Sequence, residues 1–109
     1  MKNDVLKEIG IRISEKRKQK NYTQEQVAEM MNVSIQMVSN LERGNKAIKI
    51  ENLIKISEIL DVSTDYILTG KYTENDKKVL TEKLSQLDDK NYKMIEMLID
   101  YYTEWARSF

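Results

Sequence analysis

The chain has no cysteine, no histidine and no proline, and only three glycines in 109 residues. Without cysteine there is no disulfide framework and no thiolate site, and without histidine the commonest acid–base group and the commonest metal ligand are missing. The absence of proline and the scarcity of glycine remove the turn chemistry on which sheets depend, so an all-α protein is expected. Apolar runs extend over only a few residues, too short to span a bilayer, and the charged N-terminus lacks the apolar segment of a secretory signal. These absences read as a cytoplasmic protein with no membrane contact, no cofactor and no metal. Paired carboxylates occur at Asp88 and Asp89, but acids are expected as caps at a helix start, and no nucleophile–base set or glycine-rich phosphate loop accompanies them. No enzyme is expected.

What is present is charge, unevenly spread. The net charge is zero, which disfavours a nonspecific nucleic-acid coat. Residues 1–71 nevertheless carry 9 Lys and 3 Arg against 10 acids, whereas residues 72–109 carry 6 basic and 8 acidic side chains. The N-terminal part is the better anion binder, with local clusters at Lys16-Arg17-Lys18-Gln19-Lys20 and at Lys46 with Lys49. Taken alone, each cluster is equally well read as a solvated helix end whose cations suit the macrodipole.

A chain of this length holds one domain and an appendage, without a second independent core. Leu6, Ile9 and Ile13 recur at helical spacing and predict a first helix over about residues 5–19, ended by Asn21 in the left-handed conformation. Thr23-Gln24-Glu25-Gln26 is a capping box that opens a second helix with Val27, Ala28 and Met31 inward. Ser34 caps a third, running to Arg43 and closed by Gly44. Leu53, Ile56, Ile59 and Leu60 mark a fourth helix, and Ser63 caps a short fifth, Thr64 to Leu68. The expected organisation is a domain over residues 1–70, a polar linker over 71–78 and a two-helix segment over 79–109. In its last helix Ile95, Leu98, Tyr102, Trp105 and Phe109 step by three and four, a heptad seam. Such a stripe is usually intramolecular core, but the sixth helix offers few apolar residues to cover it. A second copy of the chain is the expected cover.

The third helix carries the functional signal. Val33, Val38 and Leu41 point inward, which leaves Ile35, Gln36, Ser39, Asn40 and Arg43 outside. Amide side chains on a helix pinned by its apolar back have the form needed to read base edges in the major groove. There Gln or Asn can pair bidentately with adenine, and an apolar group can meet the thymine methyl. By itself the helix is no better than even against an ordinary surface helix. The order tips the reading: capped helix, tight turn, second capped helix with a polar front, within a bundle of short helices.

Ile9-Gly10 with Ile13 and Arg17, Tyr22-Thr23-Gln24 with Val27-Ala28, Val33-Ser34, Val38-Ser39, Leu41-Glu42-Arg43-Gly44, and Leu53 through Ser63 to Leu68 together resemble the lambda-repressor-like, Cro/C1 and XRE type of helix-turn-helix regulators. The resemblance spans about residues 5–70 and extends to the small repressors common in Gram-positive bacteria, their phages and mobile elements. It implies a five-helix DNA-binding domain and does not reach residues 72–109, where the heptad seam by itself suggests a C-terminal two-helix dimerisation segment. It also implies base reading by Ile35, Gln36, Ser39 and Asn40, and phosphate binding by Gln24 and Ser34 at helix N-termini and by Arg43, Asn45 and Lys46. An ion pair between Arg17 and Glu42 is implied as a structural tie.

The sequence departs from the family pattern in three places. Lys16 stands at a usually apolar position, so its stem is expected to snorkel and its ammonium to extend toward DNA. Lys49-Ile50 replaces a proline-serine pair at the start of the fourth helix, leaving that helix without a side-chain cap and Lys49 available to a phosphate. Ile35 cannot specify a base by hydrogen bonds, which shifts base selection to Gln36 and Asn40, helped by DNA shape. The functional expectation is a homodimeric repressor of double-stranded DNA with a palindromic operator. The alternative is an antitoxin or adaptor whose C-terminal helices bind another protein. A sensor with a pocket lined by Tyr92, Tyr101, Tyr102 and Trp105 is a lesser alternative, since aromatics at this spacing are more often core.

Overall fold

A computed structural model describes residues 2–109, and every regular element in it is helical: α1 Lys2–Gln19, α2 Gln24–Met31, α3 Ile35–Glu42, α4 Ile50–Leu60, α5 Thr64–Thr69, α6 Glu74–Ser85 and α7 Asp89–Arg107. The all-α class is as expected. The chain divides into two units at Thr73/Glu74, with α1 to α5 in the first and α6 and α7 in the second.

Local chemistry sets the helix ends of the first unit. Thr23 Oγ1 accepts from the Gln26 amide at 3.0 Å and Gln26 Oε1 accepts from the Thr23 amide at 2.8 Å, so both halves of the capping box are made. Ser34 Oγ accepts from the Met37 amide at 3.1 Å, and Ser63 Oγ from that of Tyr66 at 3.0 Å. Asn21, Asn32 and Asp61 follow α1, α2 and α4 with φ of 61°, 58° and 54°. Short polar side chains tolerate this left-handed conformation, so these turns close without glycine. The end of α3 does need one: Gly44 has φ 74°, and a Cβ there would lie 2.7 Å from the Lys7 backbone.

The helices of this unit bury one shared core, Ile9, Ile13, Val27, Ala28, Met31, Val38, Ile56, Leu60 and Ile67, ringed by Tyr22, Val33, Ile48, Leu53, Ile59 and Val62. Burial of each such large aliphatic side chain contributes about 1.5–3 kcal/mol relative to exposure. α1 is the central element, packed on α3, α4 and α5. Its approach to α3 is closest at Gly10, where a Cβ would strike the Glu42 carbonyl oxygen and lie 2.5 Å from that of Leu41. Arg12 closes the other contact of α1 by donating from NH1 to the Ile67 carbonyl at 2.8 Å, at the end of α5 where carbonyls lack helical partners.

Two boundaries differ from the sequence reading. α1 begins at Lys2 rather than near residue 5. More consequentially, α6 begins at Glu74, inside the segment read as a linker over 71–78, so only residues 70–73 separate it from the α5 terminus. Polarity does not stop a helix when glycine and proline are absent, and Glu74 and Asp76 in the first turn complement the helix dipole.

The second unit holds α6 and α7, joined across residues 86–88, with no buried residue in either helix. Asp88 caps α7, its carboxylate accepting from the Asn91 amide at 2.8 Å. Leu84 of α6 and Ile95 of α7 are its half-buried apolar residues, beside a small open cleft of about 80 Å³ that they line with Tyr92, Glu96 and Ile99. No helix of the described residues is long and apolar enough to cross a membrane.

Candidate nucleic-acid interface

Helices α2 and α3 meet across Asn32–Ser34, and α3 is held from behind by the buried Val38 and Leu41. Its front carries Ile35, 49% exposed, together with exposed Gln36 and half-buried Ser39 and Asn40. These four are the residues read as base-facing, and they lie on one helix with Ser34 at its cap. They are not independent. Gln36 Nε2 donates to Asn40 Oδ1 at 3.1 Å, and Arg43 NH2 donates to the same oxygen at 2.9 Å. Arg43, expected only as a phosphate ligand, is thus tied to the front of the helix.

Behind the front lies a polar node built on Glu42. Arg17 donates to it twice, from Nε to Oε2 at 2.7 Å and from NH2 to Oε1 at 3.0 Å, while Arg17 NH1 donates to the Tyr22 carbonyl at 2.8 Å. The two side chains are 11% and 6% exposed. The Glu42 hydrogen bond raises the Arg17 guanidinium pKa above its ordinary value against the opposing effect of burial. The bridge ties α1 to the C-terminal end of α3 and so fixes the tilt of the exposed front. Gln24, expected to meet a phosphate, donates from Nε2 to Glu42 Oε1 at 3.0 Å. Its amide is therefore oriented by the node rather than free.

The remaining residues read as phosphate ligands lie in and after the α3–α4 loop. Asn45, Lys46 and Lys49 are exposed, and the Asn45 amide donates to the Asn40 carbonyl at 2.9 Å, holding the loop against the end of α3. Lys49 precedes α4 in extended conformation and gives it no side-chain hydrogen bond. The backbone N–H groups of that first turn remain available to an anion.

Lys16 does not do what the sequence led us to expect. Its ammonium lies 5.0 Å from the ring centroid of Tyr66 and 5.7 Å from that of Tyr72, and the two rings stack at 4.6 Å. A cation over an aromatic face is held electrostatically, worth about 0.5–1 kcal/mol or more where water is partly excluded. The apolar stem snorkels, as read, but the charge ends on a tyrosine pair at the α5 terminus instead of turning toward DNA. Sequence reading missed this pair because Tyr66 and Tyr72 lie more than a helical turn apart on different segments, with no periodic signal joining them.

On α7, Ile95 lines the cleft beside Leu84, whereas the other four seam residues are open: Leu98 is 63% exposed, Tyr102 64%, Trp105 52% and Phe109 90%. The aromatic members already touch along the helix, with ring centroids 5.7 Å apart for Tyr102 and Trp105 and 4.9 Å for Trp105 and Phe109. An apolar surface of this kind is uncommon on a monomer.

A capped helix, a tight turn and a second helix locked on a five-helix core define a helix-turn-helix unit. Comparison with known proteins agrees. A helix-turn-helix family profile matches residues 13–67. The HTH-type transcriptional regulator ImmR of Bacillus subtilis is 34% identical over 89 residues, 76% of this chain and 70% of that protein. Among solved structures, the P22 c2 repressor bound to a synthetic operator is 35% identical, with TM-score 0.56 over 58% of this chain and 96% of the other. The SinR/SinI protein complex offers a longer match, 31% identical with TM-score 0.58 over 93% of this chain and 99% of the matched one. The chain belongs to the helix-turn-helix family of lambda-repressor-like, Cro/C1 and XRE type, and is a transcriptional regulator, not an enzyme.

Proposed function

We propose that the protein is a repressor that binds double-stranded DNA as a homodimer and occludes a promoter at a palindromic operator. The observation that carries this reading is the front of α3, where Ile35, Gln36, Ser39 and Asn40 face outward from a helix fixed by Val38, Leu41 and the Arg17–Glu42 bridge. α3 enters the major groove, with Gln36 and Asn40 at base edges and Ile35 against a thymine methyl. Ser34 and Gln24 meet one phosphate stretch at helix N-termini, and Arg43, Asn45, Lys46 and Lys49 meet the next. A single unit makes few base contacts. Two copies joined through Leu98, Tyr102, Trp105 and Phe109, with Ile95 at the inner end of the seam, read half-sites about 34–36 Å apart on one face of the duplex. The protein works where its DNA is, in the cytoplasm.

The test is light scattering of the full chain together with selection from a random double-stranded DNA library. A dimer that enriches a two-fold symmetric site meets the expectation. A protein that enriches no sequence is not a sequence-specific repressor. The open apolar face of α7 also favours a second reading, in which that face takes a different protein and DNA binding is secondary. A monomer in scattering that forms a stoichiometric complex with a product of a neighbouring gene would select it.

A further inference from the structure

We propose that Arg43, the C-cap residue of α3, sets the polarity of both base-facing amides and thereby restricts Asn40 to a keto base, guanine or thymine. The inference rests on the reading of α3 as the base-reading helix. Arginine has five N–H donors and no acceptor, so the Asn40 atom that meets Arg43 must be Oδ1. That oxygen also accepts from Gln36 Nε2, which occupies both of its lone pairs and turns Gln36 Oε1 outward. Asn40 is left offering only its two N–H donors.

Pairing an amide with adenine needs an acceptor for the N6 amino group as well as a donor for N7. Asn40 has spent its acceptor within the helix. Its donors fit acceptor edges, O6 and N7 of guanine or O4 of thymine. Gln36 keeps an acceptor and one N–H and retains the adenine edge. An adenine contact, open to either amide from sequence alone, is assigned to Gln36 and withheld from Asn40. The C-cap arginine is a positioning residue for specificity, in addition to any phosphate it meets.

The experiment is library selection with the full-length wild type, Asn40→Ala, Arg43→Met and Arg43→Lys, each first checked for unchanged thermal unfolding. The base pair whose preference disappears in Asn40→Ala is the one Asn40 reads. In the selected site the wild type should lose about fivefold or more in affinity, the lower end of what one good base contact discriminates, when the keto oxygen of that pair, O4 of thymine or O6 of guanine, is replaced by hydrogen, and should be unaffected when the amino group of the partner base, N6 of adenine or N4 of cytosine, is replaced by hydrogen. In Arg43→Met, which lets the amides turn over, the two losses should come within about threefold of each other. Arg43→Lys, still a pure donor, should keep the wild-type pattern. The proposal is overturned if the wild type loses affinity on removal of the amino group and not of the keto oxygen, or if Arg43→Met weakens binding evenly on all sequences while leaving the pattern intact, as loss of a phosphate contact alone would do. A wild type that enriches no site removes the base-reading assignment of α3 and this proposal with it.

Discussion

Substitution of Glu42 by alanine should cost the first unit about 3–4 kcal/mol, a large share of the 5–15 kcal/mol typical of a small domain. The carboxylate takes two charge-assisted bonds from Arg17 and one bond from the Gln24 amide, and its removal leaves Arg17 with the Tyr22 carbonyl as its remaining partner. At an effective dielectric near 20, opposite charges about 4 Å apart attract by about 4 kcal/mol. Because the Arg17 side chain is only 11% exposed, water restores little of this. Glu42→Gln keeps shape and one acceptor and should lose about half as much. Removing both charges, with Arg17→Met and Glu42→Leu together, should return stability to within about 1 kcal/mol of wild type, because no unpaired charge remains. Urea unfolding of the full chain at fixed protomer concentration, followed by circular dichroism, measures these values. Trp105 fluorescence reports the second unit separately. A loss below about 1 kcal/mol for Glu42→Ala would mean that the bridge behaves as a solvated surface pair, and the argument from burial would fail. A double variant as unstable as Glu42→Ala would place the cost in packing rather than in charge.

Three further outcomes are expected. Gly10→Ala should destabilise by about 1–3 kcal/mol in spite of the better helix propensity of alanine, because α1 must retreat from the Leu41 and Glu42 carbonyls; a raised melting temperature would contradict the close approach. Tyr66 has its phenol pKa raised, first by burial and then by its hydrogen bond with Tyr72. The folded state therefore holds the proton more tightly than the unfolded one, and the stability this provides, fully present below about pH 10, should fade as pH climbs through the folded value. Melting temperatures should accordingly fall more between pH 9 and pH 11 for the wild type than for Tyr66→Phe, with parallel curves as the failing result. Truncation after Thr73, which retains the Tyr66–Tyr72 stack, should leave a folded monomer by sedimentation. A fragment that still dimerises would move the interface off α7.

Replacing Gln36 by alanine probes base reading independently of Arg43. It should weaken operator binding by about 1–3 kcal/mol and relax one base pair of the site. Equal weakening on every sequence would remove Gln36 from the base-reading set.

Much of the helical order was legible in the residues alone. The capping box at Thr23, the caps at Ser34, Ser63 and Asp88, the left-handed Asn21 and Gly44 and the apolar stripes all depend on neighbours three or four positions away, and one helical turn is enough to express them. The same locality explains why the heptad spacing of α7 could be read while its covering could not. Periodicity says which face is apolar, and only packing says that Ile95 lines the cleft beside Leu84 while Leu98, Trp105 and Phe109 stay open. Tertiary structure alone decided that Lys16 ends on the Tyr66–Tyr72 pair, that Gln24 is bound to Glu42 and that Arg43 turns onto Asn40. The first two pairings join different helices across the fold, and the third depends on which of several rotamers a long side chain adopts at a helix end. Neither the docking of helices nor that choice has a repeating signature along the chain.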